Sequence, residues 1–406
     1  MGRYKLSLSS RLDKGQPLRS VLTIAFLVIF AGVGVYFVAD SHAATPPASV
    51  EAESGVLAGG ASIIQDSGAS NGSAVQFSSP AVGGTAKVLG WYDGNHSAAS
   101  LETAANWLGG TSDIQYALEF LDDTSWSTIS DPSWFISQWQ GSPYTMVWAV
   151  PMVPCGAPST SCSPNATDFD AVANGSDNTY YKTLAQNLIA GGFGSSYIRL
   201  GWEFQGGWFP WTICNADGQK DFVPAFQNIV TSMRSATGAN FKFIWNPDNS
   251  TNTSCAGQVE NYYPGDSYVD EIGLDVYDTD GSTDSSSTRW NNYLNGVNSG
   301  GWTATAPDAI NGQTFEGYGL NWALAFAKEH NKQVGFPEWG LWNDGSSDSG
   351  GDDSYFISQM AAWVKANATG PSDYWDYGTS SLTIPSDTSG SSPNASAEFK
   401  DGFGGY

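Results

Sequence analysis

The sequence predicts an α/β protein whose main body is a (β/α)8 barrel, the architecture also called a TIM barrel. From about Thr85 onward, short apolar runs alternate with amphipathic stretches of helical period. That is the pattern of a parallel sheet with helical crossovers. Eight such runs fit between residues 85 and 406, at roughly 40 residues per unit, which suits a barrel with long loops. An open doubly wound sheet is the runner-up. No G-x-G-x-x-G motif follows the first strand to give it a dinucleotide site.

In chain order, Arg3, Lys5, Arg11, Lys14 and Arg19 precede an apolar run over residues 21–39, and Ser41-His42-Ala43-Ala44 follows as a small-residue site. Residues 1–43 therefore have the layout of an export signal, and the run is also long enough to stay behind as a membrane anchor with its basic end inside. Either way, residues 44–406 are expected outside the cytoplasm, secreted or held on the outer face of the cell membrane. Residues 44–84 read as a short β-rich segment or linker. Its stretches 50–55 and 68–77 resemble the opening strands of a carbohydrate-binding β-sandwich of family 6 or 35. A complete sandwich needs about 100 residues, so a truncated module or a lone hairpin is expected.

Residues 85–406 form the barrel. Strands are expected near 87–91, 114–121, 145–150, 197–202, 241–245, 271–276, 333–337 and 374–377, each rich in β-branched or aromatic residues. Helices are expected between them, for example over 180–190, 221–235, 320–330 and 354–366, where apolar residues recur every three to four positions.

Composition narrows the function. The formal net charge is −24, which repels phosphate backbones and anionic lipid surfaces and so argues against nucleic-acid binding and acidic ligands. Neutral ligands remain. Aromatic residues make up 14% of the chain, with 17 Trp; they serve equally as core filler or as rings on which a sugar face stacks. The three histidines, His42, His96 and His330, are too few for a multi-histidine zinc site. The Asp-rich stretches 278–281 and 344–353 lack the twelve-residue spacing of a calcium loop. No metal and no cofactor is called for, and a monomer is expected. Four cysteines, Cys155, Cys162, Cys214 and Cys255, suggest disulfides in an exported chain. Pairing 155 with 162 and 214 with 255 is the arrangement favoured among three.

In a barrel of this kind chemistry sits where strands end. Two glutamates lie there without an intervening loop. Glu203 falls in Ile198-Arg199-Leu200-Gly201-Trp202-Glu203-Phe204-Gln205-Gly206-Gly207-Trp208-Phe209-Pro210-Trp211, and Glu338 in Val334-Gly335-Phe336-Pro337-Glu338-Trp339-Gly340. A carboxylate among aromatics is costly unless paired, so the alternative for Glu203 is a structural ion pair with Arg199. By count, Glu203 ends the fourth strand and Glu338 the seventh. Those strands lie across the barrel mouth from one another, and two carboxyls reaching inward from there can flank one bond. Asp93, Asp122 and Asp123 follow the first two strands and are expected to touch substrate or to cap helices. Trp91, Trp148, Trp245, Trp302 and Trp342 are either stacking platforms or core.

From about residue 87 to the end, the chain resembles glycoside hydrolase family 26, whose members are retaining (β/α)8 β-glycanases best known as β-mannanases. The resemblance rests on residues 199–211, on Tyr262-Tyr263-Pro264-Gly265 with the run 269–278, and on Pro337-Glu338-Trp339-Gly340. It implies Glu203 as general acid/base and Glu338 as nucleophile. It implies Tyr277 as the residue that hydrogen-bonds the nucleophile, and Trp208 and Trp211 as the lining of the sugar subsites. Arg199, Trp202, Trp339, Trp91 and Trp245 complete the expected substrate-binding set. Two positions depart from the family pattern: Trp202 stands where His usually precedes the acid/base, and Gln205 stands where Asn usually follows it. The expected substrate is a neutral polysaccharide, β-1,4-mannan first. A β-1,3- or mixed-linkage glucan, a β-1,3-xylan, or an inactive glycan-binding role are the alternatives.

Overall fold

The structure is a computed structural model describing residues 61–65, 73–77, 87–110, 113–155, 166–249, 258–279, 285–297, 307–347, 349–384 and 390–406. The chain divides into two compact units, residues 1–83 and 84–406. In the first, β1 (Ala61–Gln65) and β2 (Ser73–Phe77) pair antiparallel as a two-stranded sheet, with Ala61 opposite Phe77. The export signal or anchor expected over 1–43 lies outside the described residues.

In the second unit every strand pairing is parallel. The strands are β3 (Leu89–Tyr92), β4 (Tyr116–Phe120), β5 (Thr145–Val150), β6 (Tyr197–Leu200), β7 (Lys242–Trp245), β8 (Glu271–Gly273), β9 (Val276–Tyr277), β10 (Gln333–Gly340) and β11 (Ser372–Trp375). They pair in sequence order from β3 to β8, and β10 pairs with both β8 and β9, so those two short strands share one barrel position. β11 closes the circle: Ser372 pairs with Leu89 on one side and with Phe336 on the other. The eight positions make a closed parallel barrel with crossover helices outside, as the alternation of elements predicts.

Helices lie where they are expected, but the one expected over 221–235 begins earlier, at Ala216. In the helix Ala216–Arg234, Phe222, Ala225, Phe226, Ile229, Val230 and Met233 are buried, one stripe at three-to-four spacing. Asn215 caps its start by accepting from the Gly218 N–H at 2.7 Å, and Arg234 stands in its last turn, where a cation complements the helix dipole.

Alternation along the strands decides what enters the barrel. Successive side chains point to opposite faces. Trp91, Trp245 and Trp339 are fully buried and pack outward, under the helices. Trp91 meets Trp107 and Phe399, Trp245 meets Trp322 and Phe326, and Trp339 meets Phe399 and Phe403. Their neighbours Tyr92, Asn246 and Glu338 therefore face the barrel axis.

Several strand bounds differ from those expected, and two of the differences have a visible cause. β6 stops at Leu200, short of 202, because Gly201 has φ +56° and turns the chain; a Cβ there would come within 2.2 Å of Met152 Sδ. β10 runs on to Gly340, past Pro337, and its register against β11 shifts between Phe336 and Trp339. Proline has no N–H for the ladder, so such a shift is where a strand accommodates it.

Candidate active site

Glu338 sits just beyond Pro337 in that irregular stretch and is buried at the mouth of the barrel. Its carboxylate accepts two hydrogen bonds: Arg199 Nη1 donates to Oε2 at 2.8 Å, and the Tyr277 hydroxyl donates to Oε1 at 2.5 Å. Bonds to an ionised acceptor are stronger than neutral ones. Tyr277 comes from β9, the segment paired beside Trp339 and Gly340, so the sheet register itself brings the phenol to the carboxylate. Burial and the charge of Glu338 hold the Tyr277 phenol well above its usual range, which keeps it a donor.

Arg199 is fully buried on β6 and all three of its nitrogens are engaged. Nη1 serves Glu338, Nη2 donates to Asp275, and Nε donates to the Asn246 side chain. Phe120 and Trp202 flank the guanidinium, with ring centroids 5.5 and 5.4 Å from Cζ. Burial opposes its charge, but Asp275 and Glu338 outweigh burial and raise its pKa. Asn246 also donates to Asp275 at 3.1 Å. Arg199, Asn246 and Asp275 are thus a rigid floor beneath Glu338. The expected alternative, an ion pair of Arg199 with Glu203, is not formed.

Glu203 follows the turn at Gly201 and itself has φ +49°. A non-glycine residue takes that conformation only where its surroundings impose it. Here its N–H donates to the Asn246 carbonyl at 2.8 Å, and its own carbonyl accepts from the Gly206 N–H at 2.9 Å. Its Oε2 accepts from the Trp208 indole N–H at 2.8 Å. Burial first, and the charge of Glu338 second, push the Glu203 carboxyl well above its ordinary range. The two carboxyls therefore feel one another's charge and differ in their surroundings: one is anchored by donors, the other favoured in its protonated form.

Of the expected aromatic platforms, Trp208 is 46% exposed beside Glu203, to which its indole N–H donates. Trp202 is buried, wedged between Phe120, Phe209 and Trp211 at centroid distances of 5.1, 5.1 and 4.7 Å. Trp211 is fully buried, stacked on Phe209 with its N–H given to the Trp202 carbonyl at 2.8 Å, so it supports Trp202 and offers no face to a sugar. Trp91, Trp245 and Trp339 are corrected likewise, because their rings lie in the helix layer behind the strands. Gln205 turns away to Asp248, donating to its backbone and side-chain oxygens at 2.6 and 2.7 Å.

The acidic candidates resolve into local roles. Asp93 accepts from the Asn95 N–H and the Ser100 hydroxyl, and Asp122 accepts from the Thr124 N–H. Asp278 is taken up by Arg289 and Tyr293; burial pushes its carboxyl up to about 6. Cys155 and Cys214 are disulfide-bonded, while Cys162 and Cys255, their expected partners, lie outside the described residues.

Several residues of the mouth escaped the sequence reading. Asn246 and Asp275 form the floor. Tyr92, Phe120, Trp375 and Tyr377 form a ledge of rings at the strand ends: Tyr92 stacks on Trp375 at 4.2 Å, Phe120 meets both Tyr92 and Trp375, and Tyr377 is 54% exposed. Tyr92 is close enough to Glu338 to feel its charge; burial first and nearby carboxylates second raise its phenol pKa. The signal was parity: Tyr92 and Asn246 are the strand neighbours of tryptophans that face outward.

Residues 195–315 match the model described as Glycosyl hydrolase family 26. Endoglucanase H of Acetivibrio thermocellus is 30% identical over 125 residues, 30% of this chain and 14% of that protein, so the chain spans only a small part of this relative. Among solved structures, a Cellulomonas fimi endo-beta-1,4-mannanase double mutant aligns with TM-score 0.50 at 18% identity, over 78% of this chain and 69% of that one. A GH26 beta-mannanase from Bacteroides ovatus aligns with TM-score 0.47 at 15% identity, over 79% and 90%. The Cellulomonas likeness bears on the fold, a closed barrel. The stretch 195–315 that matches the Glycosyl hydrolase family 26 model contains Arg199, Glu203, Asn246, Asp275 and Tyr277.

Proposed function

We propose that the chain is an exported, retaining endo-β-glycanase that cleaves internal β-glycosidic bonds of a neutral polysaccharide, β-1,4-mannan first. One observation carries the reading: Glu338 accepts from Arg199 and Tyr277, while burial and the Glu338 charge favour a protonated Glu203. That is the division of labour retention requires. Glu338 attacks the anomeric carbon and forms a glycosyl-enzyme as Glu203 protonates the departing oxygen. Glu203, now a carboxylate, takes a proton from water, whose oxygen attacks the same carbon and releases Glu338. Tyr277 and Arg199 keep the nucleophile's two oxygens oriented throughout. Trp208 holds Glu203 and offers a face to the sugar. No cofactor enters.

A β-glucan is the second reading, favoured by the likeness to a protein named an endoglucanase. Disulfides 155–162 and 214–255, a monomeric state, and export with or without retention of residues 21–39 as an anchor belong to the same proposal. The test is digestion of mannan, mixed-linkage glucan, β-1,3-glucan and xylan with product sizing, and NMR of the first anomer released. Oligosaccharides in the β configuration are expected. Initial release of the α anomer overturns the retaining mechanism, and the absence of new reducing ends on every polymer overturns the enzyme.

A further inference from the structure

Among the described residues, four non-glycine residues have positive φ: His96, Glu203, Asn311 and Asn331. Asparagine tolerates that region. Histidine also enters it more readily than most residues, whereas a glutamate is held there by its surroundings, and such places cluster at functional sites. Glu203 has its explanation in the chemistry above. His96, at φ +54°, does not.

His96 lies in the loop between β3 and the helix Ala98–Leu108, at the end of the barrel that carries Glu338. Its Nδ1 is 2.7 Å from Oε1 of Glu119, a fully buried carboxylate on β4. The same oxygen accepts from the Phe120 N–H at 2.9 Å, and the other accepts from the Trp139 indole at 2.8 Å. A buried acid with three partners fixes the imidazole plane and leaves the far ring nitrogen on the opposite edge. About a third of the His96 side chain is open to solvent, at 33%. Trp134, in the first turn of the helix Ser133–Trp139, is 56% exposed with its ring centroid 6.0 Å from that of His96. Tyr92 lies on the other side of His96 at 6.3 Å and stacks on Trp375. Rings therefore run without a break from the catalytic mouth, through Trp375, Tyr92 and His96, to Trp134 in solvent.

We propose that Trp134 and His96 form a distal sugar subsite, in which the Trp134 indole stacks on the apolar face of a neutral pyranose and the far nitrogen of His96 hydrogen-bonds one of its hydroxyls. This deepens the glycanase reading and rests on it: the occupant is a stretch of the same glycan, beyond the sugars that flank the cleaved bond. The hydrogen bond that fixes the His96 ring and the burial of Glu119 then have a purpose that packing alone does not supply.

The experiment titrates full-length Glu338→Gln with β-1,4-mannohexaose and cellohexaose, and with the corresponding disaccharides, by calorimetry. Adding Trp134→Ala is expected to weaken a hexasaccharide about tenfold more than its disaccharide, the order a lost ring contact carries. Trp134→Phe is expected to recover most of that. His96→Asn, which tolerates the backbone but withdraws the far nitrogen, is expected to show the same bias toward the long probe at about threefold. Equal weakening of long and short probes, hexasaccharide affinity within twofold of the parent, or no hexasaccharide binding by the parent overturns the subsite. Failure here is separable from failure of the proposed function. Equal affinities beside robust hydrolysis by the unmodified chain remove only the subsite. Length-selective binding beside no hydrolysis removes only the catalysis.

Discussion

Replacing Arg199 by methionine tests the floor of the site. Arg199 is fully buried and serves Glu338, Asp275 and Asn246 at once. Methionine keeps much of the bulk but none of the donors. Glu338 retains Tyr277 and lies nearer the solvent. Asp275 is left buried with a single side-chain donor, Asn246, at 3.1 Å. Removing one member of a buried ion pair costs about 3–5 kcal/mol, a sizeable share of a total stability of order 5–15 kcal/mol. For the unit 84–406, at about 2.1 cal/mol/K of unfolding entropy per residue, that is a fall of roughly 4–7 °C in thermal midpoint. The pH dependence sharpens the test. Burial already pushes the Asp275 carboxyl up, and Arg199 is the main group pulling it back. In Arg199→Met, Asp275 is protonated when folded and ionised when unfolded at neutral pH. A folded pKa above the unfolded one gives stability that is present below the unfolded value and lost as pH rises through the folded value. The deficit of the variant is therefore expected to grow from pH 5 to pH 8, and adding Asp275→Asn to recover much of it at pH 8. Thermal unfolding followed by circular dichroism reads this directly. A midpoint shift below about 2 °C at pH 8, or a double variant less stable than the single one, refutes the argument.

Other expectations follow from the same geometry. Glu203→Ala is expected to lower turnover of glycosides with poor leaving groups by about 10²–10⁴, and of activated aryl glycosides far less, with azide restoring the latter. Equal losses on both substrate types would show that Glu203 is not the proton donor. In the unmodified enzyme, activity is expected to fall on the alkaline side as Glu203 loses the proton that burial and Glu338 hold on it; a rate rising steadily with pH contradicts that role. Glu271→Gln is expected to stabilise the fold more at pH 8 than at pH 5. Glu271 is buried with neither oxygen hydrogen-bonded; burial and Asp373 raise its pKa, so its cost grows as pH climbs through the folded value. A pH-independent effect in thermal melts counts against this. Gly201→Ala combines a left-handed backbone with a clash against Met152, and is expected to cost about 2–4 kcal/mol and to misplace Glu203. A denaturation midpoint unchanged from the parent rules out that strain.

The barrel was legible because strand and helix periods differ and alternate eight times. The proposed pair, Glu203 and Glu338, stood out in the sequence because a carboxylate at a strand end among aromatics has few structural excuses. What surrounded the pair was harder. Trp91, Trp245 and Trp339 drew attention as rings that bind sugars, yet each points outward, and the residue beside it points in. Strand parity anchored on Glu338 assigns Trp339 to the wall at once. For Trp91 and Trp245 it needs the register between strands, which only pairing in space supplies. Asn246 and Asp275 look unremarkable in sequence because their value lies in meeting one guanidinium from two further strands. His96 reads in sequence only as one of three histidines too few for a zinc site, and its backbone conformation cannot be read from its neighbours in the chain.

The alternation of indoles and reactive groups along β10 ties assembly to activity. A slip of this strand by one residue would put Trp339 into the lumen and press Glu338 among Phe399 and Phe403. Such a molecule would be badly packed and would have lost the proposed nucleophile from the barrel mouth, so this slip cannot imitate the native form. After refolding from denaturant, the fraction of specific activity regained should equal the fraction of chains whose strands have found their proper partners, and enzyme turnover becomes a count of correctly closed barrels.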